Sequence, residues 1–388
     1  MNSQNIRIAQ SCAADARQAV EEFHAAVVQP NIELVVFFCS SEYDLDALAA
    51  EMRRLFAGIQ VVGCTSAGEI GPAGYLNHSL SGASFAAGSF VAVSGLLDGL
   101  NRFDLTKGHG FSQALLQRFE RKAPQANPDN SFALLLIDGM SIREEQVAHA
   151  LQYELGKIPL VGGSAADDQQ FVKTYVYCDG RFQTDSAVLI LFSTEMPFKL
   201  FMSQHFVATH ERLVVTEADT SRRVVKELNG LSAAEEYARL VGVRVKQLDS
   251  RIFSASPLVV VIDGTDYVRG IQKANDDGSL SFFCAIEEGV VLRVAHGVDM
   301  LDNLTQTFDM VRTEIGPPQF VLGCDCMLRN EEVTLSGQKD TVFDIFKRNN
   351  TVGFSCYGEQ FRGVHVNQTF TGIAIGTSAK STPKLSDA

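Results

Sequence analysis

The sequence predicts an α/β protein of two domains, with mixed sheets built from repeated strand–helix–strand units. One phrase occurs three times, as IQVVGCTSAGEI (59–70), IPLVGGSAADD (158–168) and TVGFSCYGEQF (351–361). Each copy follows an amphipathic stretch and an earlier apolar run: LVVFFCS, FALLLIDG or QFVLGCDC. A recurring order of this kind indicates repeated supersecondary units. Hairpin-like strands after each copy favour mixed rather than purely parallel sheets.

The N-terminal residues 1–30 predict a short strand at 6–9 and then a helix. Ala16, Val20, Phe23 and Val27 recur at helical spacing there. The first unit follows, and its apolar runs predict strand 34–38, helix 45–56, strand 61–63, loop 64–71 and strands 80–85 and 90–97.

The second unit repeats this order and leads to a domain boundary. Asp179-Gly180 is a hairpin turn signal between two of its strands, and Asn229-Gly230 signals the end of a helix. We therefore place the boundary of the two domains at 229–230. The elements predicted are strand 132–137, helix 143–155, strands 160–162, 174–178, 187–192, 198–206 and 213–216, and helices 220–228 and 233–240, the last capped by Ser232.

The C-terminal domain, 230–376, contains the third unit. Pro317-Pro318 ends its long helix, and the small polar residues of the tail 377–388 predict disorder. Its predicted elements are strands 257–262, 280–285 and 290–294, helix 300–315, strand 320–324, helix 342–347 and strands 352–354 and 368–375.

Composition limits the class of protein and its partners. The 388 residues are 46% apolar and 20% charged, which is typical of a soluble globular chain. No apolar run is long enough to span a bilayer, and the N-terminus lacks the features of a signal peptide. We therefore expect a cytoplasmic protein without membrane contact. The net charge of −13 repels phosphate backbones and disfavours nucleic acid as a partner.

The three glycine loops are candidates for the rim of a binding cavity. Small residues past a buried strand let the backbone turn closely and direct polar groups into a common space. The alternative is that the glycines only close turns, but a turn does not require the acids that recur with them. The candidate ligand-binding residues are Thr65, Ser66, Glu69, Ser164, Asp167, Ser355, Cys356, Tyr357 and Glu359.

Arginines and cysteines add two further candidates. Arg329 and Arg362 follow the third-unit motifs, and a guanidinium offers a bidentate fork to a carboxylate or propionate, although a structural ion pair is equally compatible. Most of the eight cysteines fit small buried residues, and Cys324-Asp325-Cys326 leaves metal or cluster ligation open.

The motifs GCTSAGEI with Gly74, Asp138-Gly139, PLVGGSAADD, YVYCDGRF and AVLIL follow the order of the FIST N domain. Together with the motifs that follow, they make the chain resemble FIST-domain signal-transduction proteins over about 31–376. The FIST C domain is similar to VVTEADTSRRVVKELNGLSAAEEYA, Val268-Arg269-Gly270, Glu288-Gly289, CDCMLR and GFSCYGEQF with HVNQT. Several separate motifs in the right order make the resemblance specific.

The resemblance implies an intracellular sensor that binds a small ligand and has no established catalytic activity. Stand-alone members similar to this chain are nitric-oxide-sensing haemoproteins that control partner histidine kinases and cyclic-di-GMP signalling. It therefore implies haem b, a gas or small-molecule ligand, and a histidine kinase or other two-component protein as partner. Haem would be noncovalent because the sequence has no CxxCH motif. A homodimer is left open.

His205 is the first candidate for an axial haem ligand, followed by His365 and His210. His205 lies in the strand-like run FMSQHFV, where it shares a face with Phe201 and Val207. A core histidine bonded to a backbone carbonyl is the alternative. Many FIST domains have histidine directly before Asn-Gln-Thr, whereas Val366 separates His365 from Asn367 and turns its side chain to the opposite face.

Two functions without haem remain as alternatives. One is a sensor of an amino-acid-like metabolite held by the loops and Arg329. The other is a Cys-dependent enzyme in which Cys356 is the nucleophile, with Glu359 and His365 nearby in sequence. Nearness in sequence does not guarantee that a base and the thiol meet, and we expect no enzymatic activity.

Overall fold

The computed structural model of the protein describes residues 5–262 and 264–377. Three units of equivalent topology surround one core, and each runs strand, helix, strand, helix, strand, two-stranded hairpin, strand. The α/β class and the mixed sheets are confirmed. The first unit consists of β1 (Ile6–Ser11), α1 (Ala16–Val27), β2 (Ile32–Ser40), α2 (Leu45–Leu55), β3 (Gln60–Ser66), the hairpin β4 (Glu69–Gly71) and β5 (Gly74–Leu76), and β6 (Leu80–Ala86).

The second unit repeats this order without interruption. The sequence did not predict its first helix, because two glycines, Gly108 and Gly110, weaken the helical pattern there. The elements are β7 (Val91–Asp98), α3 (Leu105–Lys122), β8 (Ser131–Ile137), α4 (Glu144–Leu155), β9 (Leu160–Ser164), the hairpin β10 (Val176–Cys178) and β11 (Arg181–Gln183), and β12 (Ser186–Ser193).

The third unit begins with β13 (Phe198–Ser203) and is then interrupted by an inserted sheet. The insertion has its own apolar core around Leu213, Tyr237 and Leu292. It consists of β14 (Phe206–Asp219), β15 (Val224–Leu228), β16 (Leu231–Ser232), α5 (Ala233–Val241), α6 (Ser250–Ala255), β17 (Leu258–Ile262), β18 (Thr265–Arg269), β19 (Ile271–Ala274), β20 (Leu280–Phe282) and β21 (Val291–Gly297).

The third unit resumes after the insertion, and two helices connect its parallel strands. The elements are α7 (Met300–Ile315), β22 (Phe320–Cys326), α8 (Met327–Leu335), α9 (Lys339–Arg348), β23 (Thr351–Cys356), the hairpin β24 (Glu359–Phe361) and β25 (Val364–Val366), and β26 (Phe370–Ile375). The tail was predicted to be disordered, and its residues 378–388 lie outside the described part of the chain.

The predicted helix 220–228 is wrong, because Thr220–Arg222 form a single 3₁₀ turn and Val224–Leu228 form β15. Val225 and Leu228 are buried against the inserted sheet, and β15 pairs with β14 and β20. Asn229 and Gly230 have φ values of 54° and 75° and join β15 to β16 as a two-residue hairpin turn rather than ending a helix. The predicted domain boundary at 229–230 falls at this turn, inside the inserted sheet.

The three units exchange their hairpins. The first sheet has the order β1-β6-β2-β3-β10-β11, so its last two strands come from the second unit. The second sheet takes β24 and β25 from the third unit, and the third sheet takes β4 and β5 from the first. The inner faces of all three sheets form one apolar core, in which Phe38 and Phe354 stack at 4.3 Å.

Helices cover the outer faces of the sheets. α1 and α2 pack on the first sheet, α3 and α4 on the second, and α7 and α9 on the third. Among the described residues, no helix is both long and apolar enough to cross a membrane.

Each exchanged hairpin pairs with a strand of another unit, and that strand has a glycine at the point of pairing. Tyr177 pairs with Gly63, Gln360 with Gly162 and Ile70 with Gly353. A Cβ on Gly353 would lie 1.9 Å from the carbonyl oxygen of Gly323 on the adjacent parallel strand, and the corresponding distances are 2.4 Å for Gly63 and 2.1 Å for Gly162. The glycine of the repeated phrase is therefore required by close backbone approach within the sheet.

Candidate functional site

The three glycine loops meet at one end of the central core. Ala67 N donates to Ser355 O at 2.9 Å, and Ser355 N donates to Gly68 O at 2.7 Å, which joins the first and third loops. Ser164 N donates to Gly358 O at 2.9 Å and joins the second loop to the third. The carboxyl ends of parallel strands lie at the same sheet edge, so this junction is the expected place for a site.

Most of the predicted polar residues are engaged inside this junction. Asp167 accepts hydrogen bonds from the backbone N–H groups of Phe171, Val172 and Lys173 and from the Tyr357 hydroxyl. Thr65 Oγ1 accepts from Tyr175 N at 3.1 Å. These contacts hold the loops in place, and the ligand-binding role assigned to these residues from sequence remains a prediction.

Glu69 is also engaged within its own loop. Its carboxyl accepts from Ser66 Oγ and from the N–H and hydroxyl of Ser79, at 2.9 and 2.7 Å. The residue is 0% exposed, and burial raises its pKa to about 8. Glu69 is therefore protonated at neutral pH and does not present a charge to a ligand.

Glu359 is buried in the third loop in the same way. Its carboxyl accepts from Thr369 N at 3.2 Å and from Cys356 Sγ at 3.0 Å, and burial raises its pKa to about 8. Burial also raises the pKa of the Cys356 thiol well above its usual value. A protonated, buried thiol is a poor nucleophile.

Arg329, one of the residues predicted from sequence to bind a ligand, has two buried nitrogen atoms without a hydrogen-bond partner. It lies on α8 and is 1% exposed, and its Nε forms an ion pair with Asp325 Oδ1 at 3.0 Å. Tyr75 donates to the other carboxylate oxygen of Asp325 at 2.9 Å. Nη1 and Nη2 of Arg329 have no hydrogen-bond partner. A buried guanidinium with an open edge is costly unless an anion or water completes it.

The surroundings of Arg329 and Asp325 include another charged side chain and a buried hydroxyl. Lys339 on α9 places Nζ 5.1 Å from the centre of the Tyr75 ring. Burial raises the pKa of Asp325 to about 6, although Arg329 opposes this shift. Ser355, predicted as a ligand residue, has a buried Oγ without a partner.

A cleft runs beside α8, between that helix and α6 of the inserted sheet. Its volume is about 320 Å³, and Glu332 and Leu335 contribute one wall while Ser254 and Ala255 contribute the other. Such a volume is at the lower end of the range for small-molecule sites. Glu332 lies one helical turn after Arg329, and its Oε2 is buried without a partner.

Glu332 also contacts His205, the first predicted haem ligand. His205 Nε2 lies 3.0 Å from Glu332 Oε1, and its side chain is 1% exposed. His205 joins β13 to the inserted sheet, and its carbonyl accepts from Val298 N, where the chain returns from that sheet. His205 therefore contacts α8 and also joins the segment where the chain enters the inserted sheet to the segment where it leaves.

Two family models match consecutive parts of the chain. Residues 33–231 match the FIST N domain and residues 233–362 match the FIST C domain. The chain belongs to the FIST family. FIST domains are signal-transduction sensor domains that bind small ligands. The family boundary lies within the inserted sheet.

Individual relatives are distant. The FIST protein is 23% identical to uncharacterized protein MJ1623 of Methanocaldococcus jannaschii over 298 residues, which are 67% of this chain and 57% of the relative. A cyanuric acid hydrolase from A. caulinodans aligns over 96% of this chain and 99% of its own, with 10% identity and a TM-score of 0.38. A second cyanuric acid hydrolase has a TM-score of 0.34. Similarity this low supports no conclusion about activity.

The three histidines predicted as haem ligands lie in different surroundings, and His205 Nδ1 and His365 Nε2 are buried without a hydrogen-bond partner. The Nε2 of His205 is engaged by Glu332, and its ring packs against Phe206 and Gly297. His365 is 1% exposed in β25, and Gln360 contacts its Nδ1. His210 is exposed on β14. An iron at any of these positions would require neighbours to be displaced or an apolar slot to form.

The cysteines give no metal centre in the described part of the FIST protein. Within residues 5–262 and 264–377, no group of three or more His, Cys, Asp or Glu side chains could hold a metal ion. Cys324 and Cys326 are buried on β22. They pack in the core with Cys356 and Met327.

Sequence reasoning missed Tyr75, Asp325 and Glu332, which surround Arg329. Asp325 and Arg329 are four residues apart and form an ion pair across the junction of β22 and α8, which no helical or strand periodicity in the sequence indicates. No sequence signal indicates Tyr75, because Tyr75 lies near Arg329 only through hairpin exchange. None indicates Glu332, because a glutamate on a helix is usually exposed to solvent.

Proposed function

We propose that this FIST protein senses an amino-acid-like metabolite bound along α8, between Arg329 and Glu332. The observation that carries the proposal is the open edge of Arg329, whose Nη1 and Nη2 are buried without partners. A carboxylate complements this fork with two parallel charge-assisted hydrogen bonds. Asp325 already holds Nε, so the guanidinium is oriented before the ligand arrives.

The other end of such a ligand meets acceptors on the same helix. Glu332 Oε2 and Asn330 Oδ1 are buried without hydrogen-bond partners, and both are suited to an ammonium group. The cleft beside Glu332 presents Ala255 and Leu335, which suit an aliphatic or small polar side chain. Carboxylate, ammonium and side chain are thus each matched by separate features of α8 and α6.

The contact of Glu332 with His205 supplies a route from ligand to output. Glu332 Oε1 lies 3.0 Å from His205, which ties the two chain crossings of the inserted sheet together. A ligand that draws Glu332 toward its ammonium weakens this contact and changes the position of the inserted sheet. The resemblance to kinase-controlling FIST proteins supports a histidine kinase or another two-component protein as the partner that responds.

Haem-based sensing of nitric oxide is the expectation from the resemblance that the geometry favours less. It needs an axial ligand and an apolar slot, whereas His205 is already paired with a carboxylate. A Cys-dependent enzyme is also disfavoured, because Cys356 is buried and donates to Glu359. We propose a packing role for this cysteine.

Isothermal titration of the full chain with the proteinogenic amino acids tests the proposal. We expect at least one to saturate at one per chain, and Arg329→Lys to lower its affinity about ten- to hundredfold because the fork is lost. Arg362→Lys is the matched control, since Arg362 is the other arginine suggested from sequence and is exposed on the third hairpin. A melting curve of each variant reports folding.

Glu332→Gln tests recognition of the ammonium group separately from recognition of the carboxylate. It removes the charge that faces the ammonium but leaves an oxygen for His205. We expect weaker binding of the amino acid and unchanged binding of the corresponding carboxylic acid without the ammonium. If no amino acid binds the parent protein, or if Arg329→Lys binds as well as the parent, the proposal fails.

A further inference from the structure

The exchanged hairpins have equivalent residues that point outward from the sheets. Each hairpin places one cross-strand pair there, and one member of the pair lies opposite a strand glycine. In the first two hairpins the pairs are apolar or aromatic, and Phe182 packs edge-on against Phe37. The three pairs are Ile70 with Tyr75, Tyr177 with Phe182, and Gln360 with His365.

The third pair departs from this pattern, and Gln360 Nε2 donates to Ser164 Oγ of the second loop at 2.9 Å. Gln360 is 0% exposed and His365 is 1% exposed, so an amide and an imidazole replace apolar side chains in a buried position. Burying polar groups costs free energy unless every donor and acceptor is satisfied. Local departures from the rules of stability are expected at functional sites.

A contact with the backbone identifies which atoms of Gln360 and His365 have no hydrogen-bond partner. The carbonyl of Gly358 only accepts, so the nearby nitrogen of Gln360, at 3.4 Å, is Nε2. That nitrogen also faces His365 Nδ1 at 3.2 Å, which makes Nδ1 the acceptor and Nε2 the protonated nitrogen of the ring. Gln360 Oε1 and His365 Nε2 then have no partner.

Asn367 adds a second free donor. Gly270 N donates to its Oδ1 at 3.3 Å, so Nδ2 is the unpartnered group. A Cβ on Gly358 would lie 2.4 Å from His365 Cε1, 2.8 Å from His365 Nε2 and 3.0 Å from Asn367 Nδ2, so both side chains pack against the backbone of Gly358 and their donors are neighbours. Asn367 is 1% exposed. We call Gln360, His365 and Asn367 the polar triad.

The inserted sheet covers the polar triad. Arg269 Nη1 on β18 donates to the carbonyl of His365 at 2.6 Å, and Gly270 follows it. Burial lowers the pKa of His365 to about 4, so its ring is neutral at physiological pH. The triad thus presents two uncharged donors and one acceptor beneath a cover that belongs to another sheet.

We propose that the polar triad is a second binding site, for a neutral amide-type group. The carbonyl oxygen of the ligand accepts from His365 Nε2 and Asn367 Nδ2, and its N–H donates to Gln360 Oε1. An uncharged donor pair matches a carbonyl oxygen, whereas the proposed amino acid site uses a guanidinium. The proposed amino acid site uses Arg329 and Glu332 of α8, whereas the triad uses residues of the third hairpin and the segment after it, so variants of one site test it separately from the other.

Thermal-shift and titration measurements with acetamide and 2-pyrrolidinone test this site, with acetate as the anionic comparison. We expect both amides to bind the parent and acetate not to bind at this position. The double variant Gln360→Leu/His365→Phe gives the hairpin an apolar pair like that of the second hairpin. We expect it to fold with equal or higher melting temperature and to lose about ten- to hundredfold in amide affinity.

Gln183→Leu is the matched control, because Gln183 in the second hairpin also has a buried amide nitrogen without a partner. It should leave amide binding unchanged. If the double variant does not fold, His365→Phe alone serves as the test. A parent protein that responds to neither amide, or equally to acetate, overturns the proposal. So does a folded triad variant that keeps the parent affinity, the result expected if the triad only holds a structural water.

Discussion

Glu69 and Glu359 occupy equivalent positions in two exchanged hairpins and accept equivalent hydrogen bonds. Each takes the backbone N–H of the residue ten positions later, Ser79 for one and Thr369 for the other. The side-chain hydroxyl of that same residue is a second donor in both cases. The acids that recur in the sequence therefore close the two hairpins.

This arrangement predicts a pH dependence of stability. Burial raises the pKa of both carboxyls from 4.5 to about 8, so folding favours their protonated forms. Their contribution to the free energy of unfolding is fully present below pH 4.5 and is lost as the pH rises through about 8. Urea unfolding of the parent should show stability falling across this range.

The variant Glu69→Gln/Glu359→Gln should flatten that dependence. A neutral amide still accepts the N–H groups of Ser79 and Thr369, so we expect the variant to match the parent near pH 4.5 and to become progressively more stable than the parent as the pH rises to about 8. Equal slopes for parent and variant would show that the two carboxyls ionise freely in the folded state.

Gly353→Ala should be strongly destabilising. A Cβ there would lie 1.9 Å from the oxygen of Gly323, so the parallel strands would have to separate. We expect a loss of roughly 3 kcal/mol or more in chemical unfolding. Gly110→Ala is the control, because nothing lies within 4 Å of its Cβ position in α3, and we expect a gain of about 0.5–1 kcal/mol. Similar effects of the two substitutions would contradict the close-approach argument.

Arg223→Ala should loosen the inserted sheet from the second unit. Arg223 Nη2 lies 2.6 Å from Glu144 and 2.9 Å from Glu145, both on α4, and Arg223 is 9% exposed. Removing one partner from a buried ion pair costs about 3–5 kcal/mol. Hydrogen exchange should rise in β14–β21 more than in the core strands. Arg251→Ala, at an exposed pair with Asp249, should change neither measurement.

Haem titration checks the expectation drawn from the resemblance. Because His205 Nε2 is held by Glu332, we expect no Soret band that saturates at one haem per chain. A saturating band that shifts with nitric oxide and is lost in His205→Ala would reverse this conclusion. Glu332→Gln would then be expected to strengthen haem binding, because it weakens the competing contact.

The sequence predicted the units but not their exchange. Apolar runs of six or seven residues and the amphipathic helices 45–56 and 300–315 gave clear patterns, because each buries one face in its own unit. The hairpin strands have three residues each, too few for any periodicity, and their partners lie in another unit. The helix predicted at 220–228 failed because pairing with β14 and β20 decided its conformation.

The sequence predicted a residue of the candidate site only where a side chain suited to ligand binding directly follows a repeated motif. Arg329 could be recognised because a fork-shaped cation follows a repeated motif. Its ion-pair partner Asp325 accepts a hydrogen bond from Tyr75, which belongs to the hairpin of the first unit. The loop acids were assigned to ligand binding because sequence does not show that Ser79 and Thr369 already satisfy them.

Hairpin exchange also sets the order in which the chain acquires structure. Ile70 pairs with Gly353, so the third sheet joins the beginning of the chain to its end. Contacts of such long range slow folding, because the intervening chain must be confined before they form. During synthesis, the hairpin around Glu69 must wait for β23 to leave the ribosome. We therefore expect the nascent first unit to depend on chaperones until translation ends.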